Sequence, residues 1–265
     1  MYLTVRGLVL RVNPYKDTDA ILTLLTEDQG KLTVKARGLR RKNSPLTASC
    51  QLLAYGEYTL FSYKGMYTIN EAHSIELFQG LHKDIVALSL GTYFAQVADI
   101  VSLEDAPSGE ILSLILNCLY AIAATDKCHL QIKSVFELRC AALAGYEPDL
   151  SGCGHCGFES PQYLDISQGI LECANCRDPG SNGIRYPVNE SILAAMRYIC
   201  YCHPKKLFSF QAGDETLQAL SQLTESYLCT QLERGFSALD FYKSLLTTTP
   251  SLGVNYVKAI RKISV

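Results

Sequence analysis

The chain has no uninterrupted apolar run of about 20 residues, the length that a membrane helix requires. Its first six residues, MYLTVR, show no basic segment leading into an apolar core, so we expect no secretory signal peptide. With 48% apolar and 19% charged residues, the composition predicts an ordered, soluble globular protein. A membrane partner is therefore not expected.

The sequence also lacks the motifs of several catalytic classes. It contains no Gly-x-x-x-x-Gly-Lys-Ser/Thr phosphate loop, no Gly-x-Gly-x-x-Gly, no Gly-x-Ser-x-Gly and no His-Glu-x-x-His. Two denser acidic stretches, at residues 17–19 and 104–105, fall at predicted turns or helix ends, where they suit capping and solubility. We expect a protein that is not an enzyme and has no small-molecule substrate.

Cysteine is abundant, with eleven residues, but an odd count does not suit a complete set of disulfides. Four of the cysteines lie in apolar, helix-like segments: Cys118, Cys140, Cys200 and Cys229. A buried free cysteine behaves as a small hydrophobic residue. This usage predicts a reducing, cytoplasmic location.

Two Cys-x-x-Cys pairs form the most specific motif. Cys153 and Cys156 are followed, after 16 intervening residues, by Cys173 and Cys176. Four thiolates at this spacing can close on one tetrahedral metal ion and leave no open position for substrate. We predict structural zinc, with His155 as a bystander or a donor to a ligand. The pattern alone also permits rubredoxin-like iron and an electron-transfer role.

Residues 1–80 have the pattern of a small β-domain. Short apolar or alternating runs separated by turns predict five strands, at 8–12, 20–26, 31–37, 55–63 and 66–75. Five strands in this length favour a closed barrel of the oligonucleotide-binding (OB) type. An SH3-like barrel or a small sandwich would give a similar pattern.

From residue 81 the hydrophobic period becomes helical, so we predict a second, α-helical domain over 81–265 and an α+β fold overall. Helices are expected at 85–101, 108–124, 130–144, 189–202, 214–235 and 237–246. A zinc module at 147–187, with a hairpin between its cysteine pairs, interrupts them. Ser108 and Asp214 are the expected helix caps, and Asn189 is expected to start a helix. A basic tail follows, containing Lys258, Arg261 and Lys262.

Charge is distributed unevenly along the chain. Residues 1–80 carry a net charge of +3 and the remainder −5, and six Lys or Arg lie between positions 31 and 42 without an acidic residue. Alternation places Lys31, Lys35 and Arg37 on one face of a strand that leads into a loop, predicted to be flexible, with Arg40, Arg41 and Lys42. Such a stripe can follow a phosphate backbone. A merely solvated strand face is the alternative.

Aromatic residues accompany the basic stripe. Tyr55, Tyr58, Phe61, Tyr63 and Tyr67 populate the last predicted hairpin. Bases of single-stranded nucleic acid can stack on such rings. Tyrosine is also an ordinary strand residue, and core or surface packing is the commoner role.

Several short segments match those of a known family. In the first 80 residues they are 7–11, 14–19, 21–26, 30–31, 36–38, 40–41, 56–57 and 67–69, and before the cysteine pairs they are 136–139 and 143–146. In these segments the chain resembles RecO, a family of bacterial recombination mediators. The four-cysteine insertion resembles the zinc-bearing branch of that family.

The resemblance implies a non-catalytic protein of the bacterial nucleoid. RecO-like proteins bind single- and double-stranded DNA, anneal complementary strands, and engage RecR and the acidic C-terminal tail of single-strand binding protein. They thereby help RecA onto DNA. The expected DNA contacts are Arg11, Lys31, Lys35, Arg37, Arg40, Arg41 and Lys42. Lys133 and Arg139 are candidates for the acidic tail. A protein-interaction adaptor, with a barrel that binds peptide, remains an alternative to DNA binding.

Overall fold

The structure, a computed structural model, describes residues 1–177 and 183–248. The predicted basic tail with Lys258, Arg261 and Lys262 lies outside these residues. Contacts divide the chain into two compact units. The first comprises Met1–Asp126 together with the described residues from Phe236 onwards, and the second comprises Lys127–Gly235.

Five strands of the first unit form a closed barrel. They are β1 (Tyr2–Tyr15), β2 (Asp19–Thr26), β3 (Lys31–Ala36), β4 (Tyr55–Tyr63) and β5 (Met66–Glu76). The barrel order is β1-β2-β3-β5-β4, and β1 closes it by pairing with both β2 and β4. All neighbours are antiparallel except β3 and β5. The predicted five-stranded OB-type barrel is confirmed.

Alternating apolar side chains fill the barrel. Val9, Leu22, Val34 and Leu60 are buried in one core cluster, and each contributes about 1.5–3 kcal/mol by leaving water. A bulge shifts the register of β1 between Val9 and Arg11. Because of the extra residue, Val9 points into the barrel and Arg11 points out of it, where strict alternation would place both on one face.

The segment between β3 and β4 differs from the predicted flexible loop. It folds into consecutive turns, with backbone N–H groups donating from Arg41 to Gly38 and from Cys50 to Leu46. Leu39 and Leu46 are buried in the barrel core cluster. These apolar side chains anchor the basic loop to the barrel end.

Three helices complete the first unit: α1 (Ile85–Val101), α2 (Gly109–Ala124) and, after the second unit, α6 (Ser237–Thr248). α1 contacts both β1 and α6. The ring of Tyr93 on α1 meets that of Phe236 edge-on, with centroids 5.5 Å apart. These three helices therefore pack in the same unit as the barrel. The sequence pattern instead predicted a barrel domain ending at residue 80 and a second domain that contains all the helices.

The second unit combines three helices with a four-stranded sheet. The helices are α3 (His129–Leu143), α4 (Glu190–Tyr201) and α5 (Asp214–Gln231), and the strands are β6 (Asp149–Cys153), β7 (Tyr163–Asp165), β8 (Ile170–Glu172) and β9 (Arg185–Pro187). The sheet order is β6-β8-β7-β9. The predicted hairpin is β7–β8. Within the described ranges, no helix has the length and apolar character needed to cross a membrane.

Asn189 caps a helix, whereas neither of the two predicted helix caps, Ser108 and Asp214, is found. The side chain of Asn189 accepts a hydrogen bond from the Ile192 amide at the start of α4. Ser108 precedes α2, but its hydroxyl donates to the Ala106 carbonyl instead of capping the helix. Asp214 is already the first residue of α5, which Gly213 precedes, so the predicted cap was wrong by one position.

Candidate metal centre and nucleic-acid interface

The four cysteines of the second unit converge on one point. Their Sγ atoms all lie within 4.8 Å of one another. The Sγ atoms of Cys156 and Cys173 are 3.8 Å apart. A tetrahedron with metal–sulfur bonds of about 2.3 Å has sulfur–sulfur edges of about 3.8 Å. The residues present therefore fit one tetrahedral metal ion, and Cys153, Cys156, Cys173 and Cys176 would hold it.

Tight turns bring each pair together. In the first, the Gly157 amide donates to the Cys153 carbonyl at 2.7 Å, and Gly157 has a φ of +75°. In the second, the Cys176 amide donates to the Cys173 carbonyl at 3.2 Å. The two turns meet because the Gly154 amide donates to Leu171 of β8 at 2.8 Å.

The thiols strongly influence one another. Burial raises the pKa of Cys153, but amides of Cys173, His155 and Cys156 donate to its sulfur and bring that pKa down to about 6. The neighbouring sulfurs, first Cys156 and then Cys173, raise the pKa of Cys176 to about 12. Because metal ligation requires thiolates, a cation bound among these sulfurs would favour the charged form that the neighbouring sulfurs oppose.

A buried ionic cluster supports the metal centre. Arg185 of β9 contacts Glu172 of β8 and lies 3.5 Å from Asp165 of β7, and the three side chains are at most 9% exposed. His155 Nε2 is 3.3 Å from the same Glu172, beside the ligand Cys173. The Arg185 hydrogen bond is the main cause that lowers the pKa of Glu172. Sequence reasoning missed this cluster because no short spacing links its members.

The loop cations of the first unit are open to solvent. Arg37, Arg40, Arg41 and Lys42 are all exposed. The amide of Arg40 donates to the Thr18 carbonyl at 2.9 Å, which holds this basic loop beside the turn between β1 and β2. Four cations on an anchored segment form the most accessible part of the predicted basic stripe.

The strand cations, in contrast, have acidic partners. The Lys31 ammonium lies 3.3 Å from a carboxylate oxygen of Asp99 on α1, and Arg11 pairs with the same carboxylate. Lys35 lies 3.0 Å from Asp19. An amide hydrogen bond from Gly38, followed by that from Lys35, holds the pKa of Asp19 below its ordinary value. The stripe is therefore less positive than its sequence indicates.

Both predicted acidic-tail contacts have partners within the second unit, and Lys133 is buried. Lys133 is 2% exposed, and its ammonium lies 2.9 Å from both Glu137 and Glu225. Arg139 donates to the carbonyls of Ile199 and Cys200 at the end of α4. Lys133 therefore presents no charge to solvent, and its partner Glu225 lies far away in the sequence, on α5. The guanidinium of Arg139 serves as a cap on α4.

The fold and the four-cysteine site define a class of two-unit proteins. One unit is an OB-type barrel with a cationic loop, and the other is a helical unit that carries the four-cysteine metal site. The chain belongs to the recombination protein O (RecO) family: residues 1–78 match "Recombination protein O N terminal" and residues 82–240 match "Recombination protein O C terminal".

Curated relatives span nearly the same length. The chain is 34% identical over 247 residues to the DNA repair protein RecO of Acetivibrio thermocellus, covering 92% of this chain and 97% of the relative. It is 26% identical to that of Symbiobacterium thermophilum, covering 91% and 96%. The Bacillus subtilis relative is 27% identical, with coverage of 83% and 86%.

Proposed function

We propose that this protein is a non-catalytic recombination mediator that binds single- and double-stranded DNA in the bacterial nucleoid. In this proposal it anneals complementary strands and acts with RecR and the tail of single-strand binding protein to help RecA onto DNA. Membership of the RecO family supports the role. The observation that carries DNA binding is the basic loop, with exposed Arg37, Arg40, Arg41 and Lys42 on an OB-type barrel.

The loop cations favour recognition of phosphate. Guanidinium and ammonium groups that replace condensed counterions give an affinity that falls as salt rises. Such contacts position a nucleic acid and carry little sequence information. A mediator that must act on any exposed strand needs this kind of binding.

Titration of a labelled single-stranded oligonucleotide at several salt concentrations tests the proposal. Replacing Arg40, Arg41 and Lys42 together by alanine removes three candidate phosphate contacts. We expect weaker binding for all sequences and a logarithmic salt slope smaller by about 2. Replacing Lys83, Lys205 and Lys206, which are exposed elsewhere, removes the same charge and is the matched control.

If the two triple variants weaken oligonucleotide binding equally, the loop contributes only through the net charge of the protein and not as a specific contact site. If the unmodified protein binds no oligonucleotide even at low salt, the adaptor hypothesis replaces DNA binding. A strand-annealing assay with both variants then tests the next step. The rate of annealing should be lower for the loop variant, because the protein must bind both complementary strands to bring them together.

For the metal centre we propose structural zinc. The four-sulfur site leaves no open coordination position, and zinc has no redox chemistry, which suits a role in folding. Elemental analysis and a visible spectrum of the native protein distinguish the metals. Iron–thiolate absorption would instead support the rubredoxin-like alternative.

A further inference from the structure

A patch of exposed apolar side chains lies on the outer surface of the barrel, apart from the basic loop. Tyr2, Phe61, Tyr63 and Met66 are 61%, 39%, 63% and 60% exposed. The rings of Tyr2 and Phe61 are 5.4 Å apart, and the Lys64 ammonium lies 5.5 Å from the centre of the Tyr63 ring. Tyr58, on the same strand as Phe61, is instead fully buried.

Strand register connects this aromatic patch to the strand cations. Tyr2 is paired with Phe61, Phe61 with Thr68, and Thr68 with Lys35. All these side chains point away from the barrel core, so they form one row across β1, β4, β5 and β3. At about 4.8 Å per strand, Lys35 lies about 14 Å from Tyr2 along the row.

The row ends on β3, one of the two strands whose face, together with the β1–β2 and β4–β5 loops, binds oligonucleotides in OB-type barrels, and the aromatic patch lies at the β4–β5 turn. Lys64 and Gly65 form the latter turn, both with positive φ, so Tyr63 and Met66 stand directly opposite each other at its base. Tyr15, which ends β1, has its ring 5.0 Å from the Lys35 ammonium. A ring and a cation therefore lie side by side at two points of this surface, Tyr63 with Lys64 and Tyr15 with Lys35.

We infer that the aromatic patch, Tyr2, Phe61, Tyr63 and Met66, is a stacking platform for the unpaired bases of single-stranded DNA. This inference rests on the proposed DNA-binding function and deepens it, because it assigns preference for single strands to residues outside the basic loop. Bases have apolar faces that match exposed rings, whereas a duplex hides those faces within its stack. The adjacent Lys35 and Lys64 then lie within reach of the phosphates of the same strand.

The chemistry of the patch favours nucleic acid over a protein partner. A protein-binding patch is apolar at its centre with charges at the rim. Here a lysine touches the ring at one end of the patch, and another continues its row. Aromatic rings with cations beside them are typical of sites that follow a single strand.

A tryptophan reporter gives the most direct test, because the chain has no tryptophan. Tyr63→Trp should yield fluorescence that is quenched by a single-stranded oligonucleotide through stacking. An abasic oligonucleotide of the same length, which keeps the phosphates, and a duplex should quench much less. Tyr120→Trp, at a tyrosine that is 59% exposed on α2, is the matched control and should show no quenching.

Affinity provides the second test. Tyr63→Ala should weaken binding of single strands about tenfold, the effect of losing one stacking contact, and leave duplex binding unchanged. Tyr63→Phe should retain the affinity, since it keeps the ring. Equal affinities of Tyr63→Ala, Tyr120→Ala and the unmodified protein would overturn the platform while salt-dependent binding persists. The stacking platform would also be overturned if Tyr63→Ala lowered self-association or the binding of a protein partner but left oligonucleotide binding unchanged. That result would identify the patch as a protein contact.

The two proposals fail differently. If the unmodified protein binds no DNA, the proposed function fails. If it binds DNA through the basic loop but shows no preference for base-bearing over abasic strands, only the stacking platform fails.

Discussion

At the scale of single residues, one carboxylate sets the charge of the barrel surface. Asp99 is 10% exposed and faces both Lys31 and Arg11, so under the proposed function it would compete with a DNA phosphate for these cations. Sequence reasoning counted the two cations as free because Asp99 lies 88 residues after Arg11 and 68 after Lys31. Periodicity predicts which face a side chain occupies but not which distant charge meets it there.

Asp99→Asn should therefore increase DNA affinity. Lys31 and Arg11 become available to phosphates, and we expect the logarithmic salt slope to increase by about 1. Loss of the ion pairs should lower the free energy of unfolding by about 1 kcal/mol. Oligonucleotide titration and urea denaturation measure the two effects. The control is Glu104→Gln, which removes the same charge from an exposed position. An equal gain in DNA affinity with this variant would contradict the role of Asp99.

At the scale of elements, strand ends were predicted best where turn residues mark them. The strands at 55–63 and 66–75 were predicted almost to the residue because the turn at Lys64 and Gly65 separates them, whereas β1, predicted over 8–12, extends over Tyr2–Tyr15. β9 was missed because three residues, Arg185–Pro187, establish no period. The four cysteines were predicted because their spacing is local to two turns. Arg185 on β9 pairs with side chains of β7 and β8 next to these cysteines. Its partners lie 13 and 20 residues earlier, and no local spacing in the sequence indicates these contacts.

The turns that hold the metal should depend on it for folding. Cys153→Ser removes one ligand, and a chelator removes the ion from the unmodified protein. Both should lower the thermal midpoint of the second unit, because binding energy at such sites is folding energy. Cys229→Ser, at a cysteine outside the four-sulfur cluster, is the control. Equal midpoints with and without chelator would contradict a structural role.

The sheet of the metal module should also be sensitive to acid. Arg185 lowers the pKa of Glu172 below its ordinary value of 4.5, so the charged pair stabilises the fold fully above that pH. The contribution is lost as pH falls below 4.5 through the lowered pKa of the folded state. Glu172→Gln should lower stability at pH 7 and show a smaller further loss between pH 5 and pH 3 than the unmodified protein. Identical pH profiles in urea denaturation would exclude this contribution.

At the scale of the whole molecule, the first unit is built from two separate stretches of chain. Phe236 is 4% exposed and packs against Tyr93 of α1. Phe236→Ala should lower the free energy of unfolding of this unit by about 3–5 kcal/mol through the cavity it leaves. Phe241→Ala, at a half-exposed position on α6, should change it little. Urea denaturation of both variants measures the contribution of Phe236 to stability. Equal midpoints for the two variants would contradict it.

The return of α6 to the first unit sets an order of events during synthesis. A ribosome releases the barrel, α1 and α2 first, then all of the second unit, and only afterwards the helix that covers α1. The metal-binding unit can therefore fold while the barrel unit is still incomplete. The surface that we propose for DNA belongs to the unit that is completed last, so the four cysteines of a nascent chain can meet before the proposed DNA-binding unit is whole.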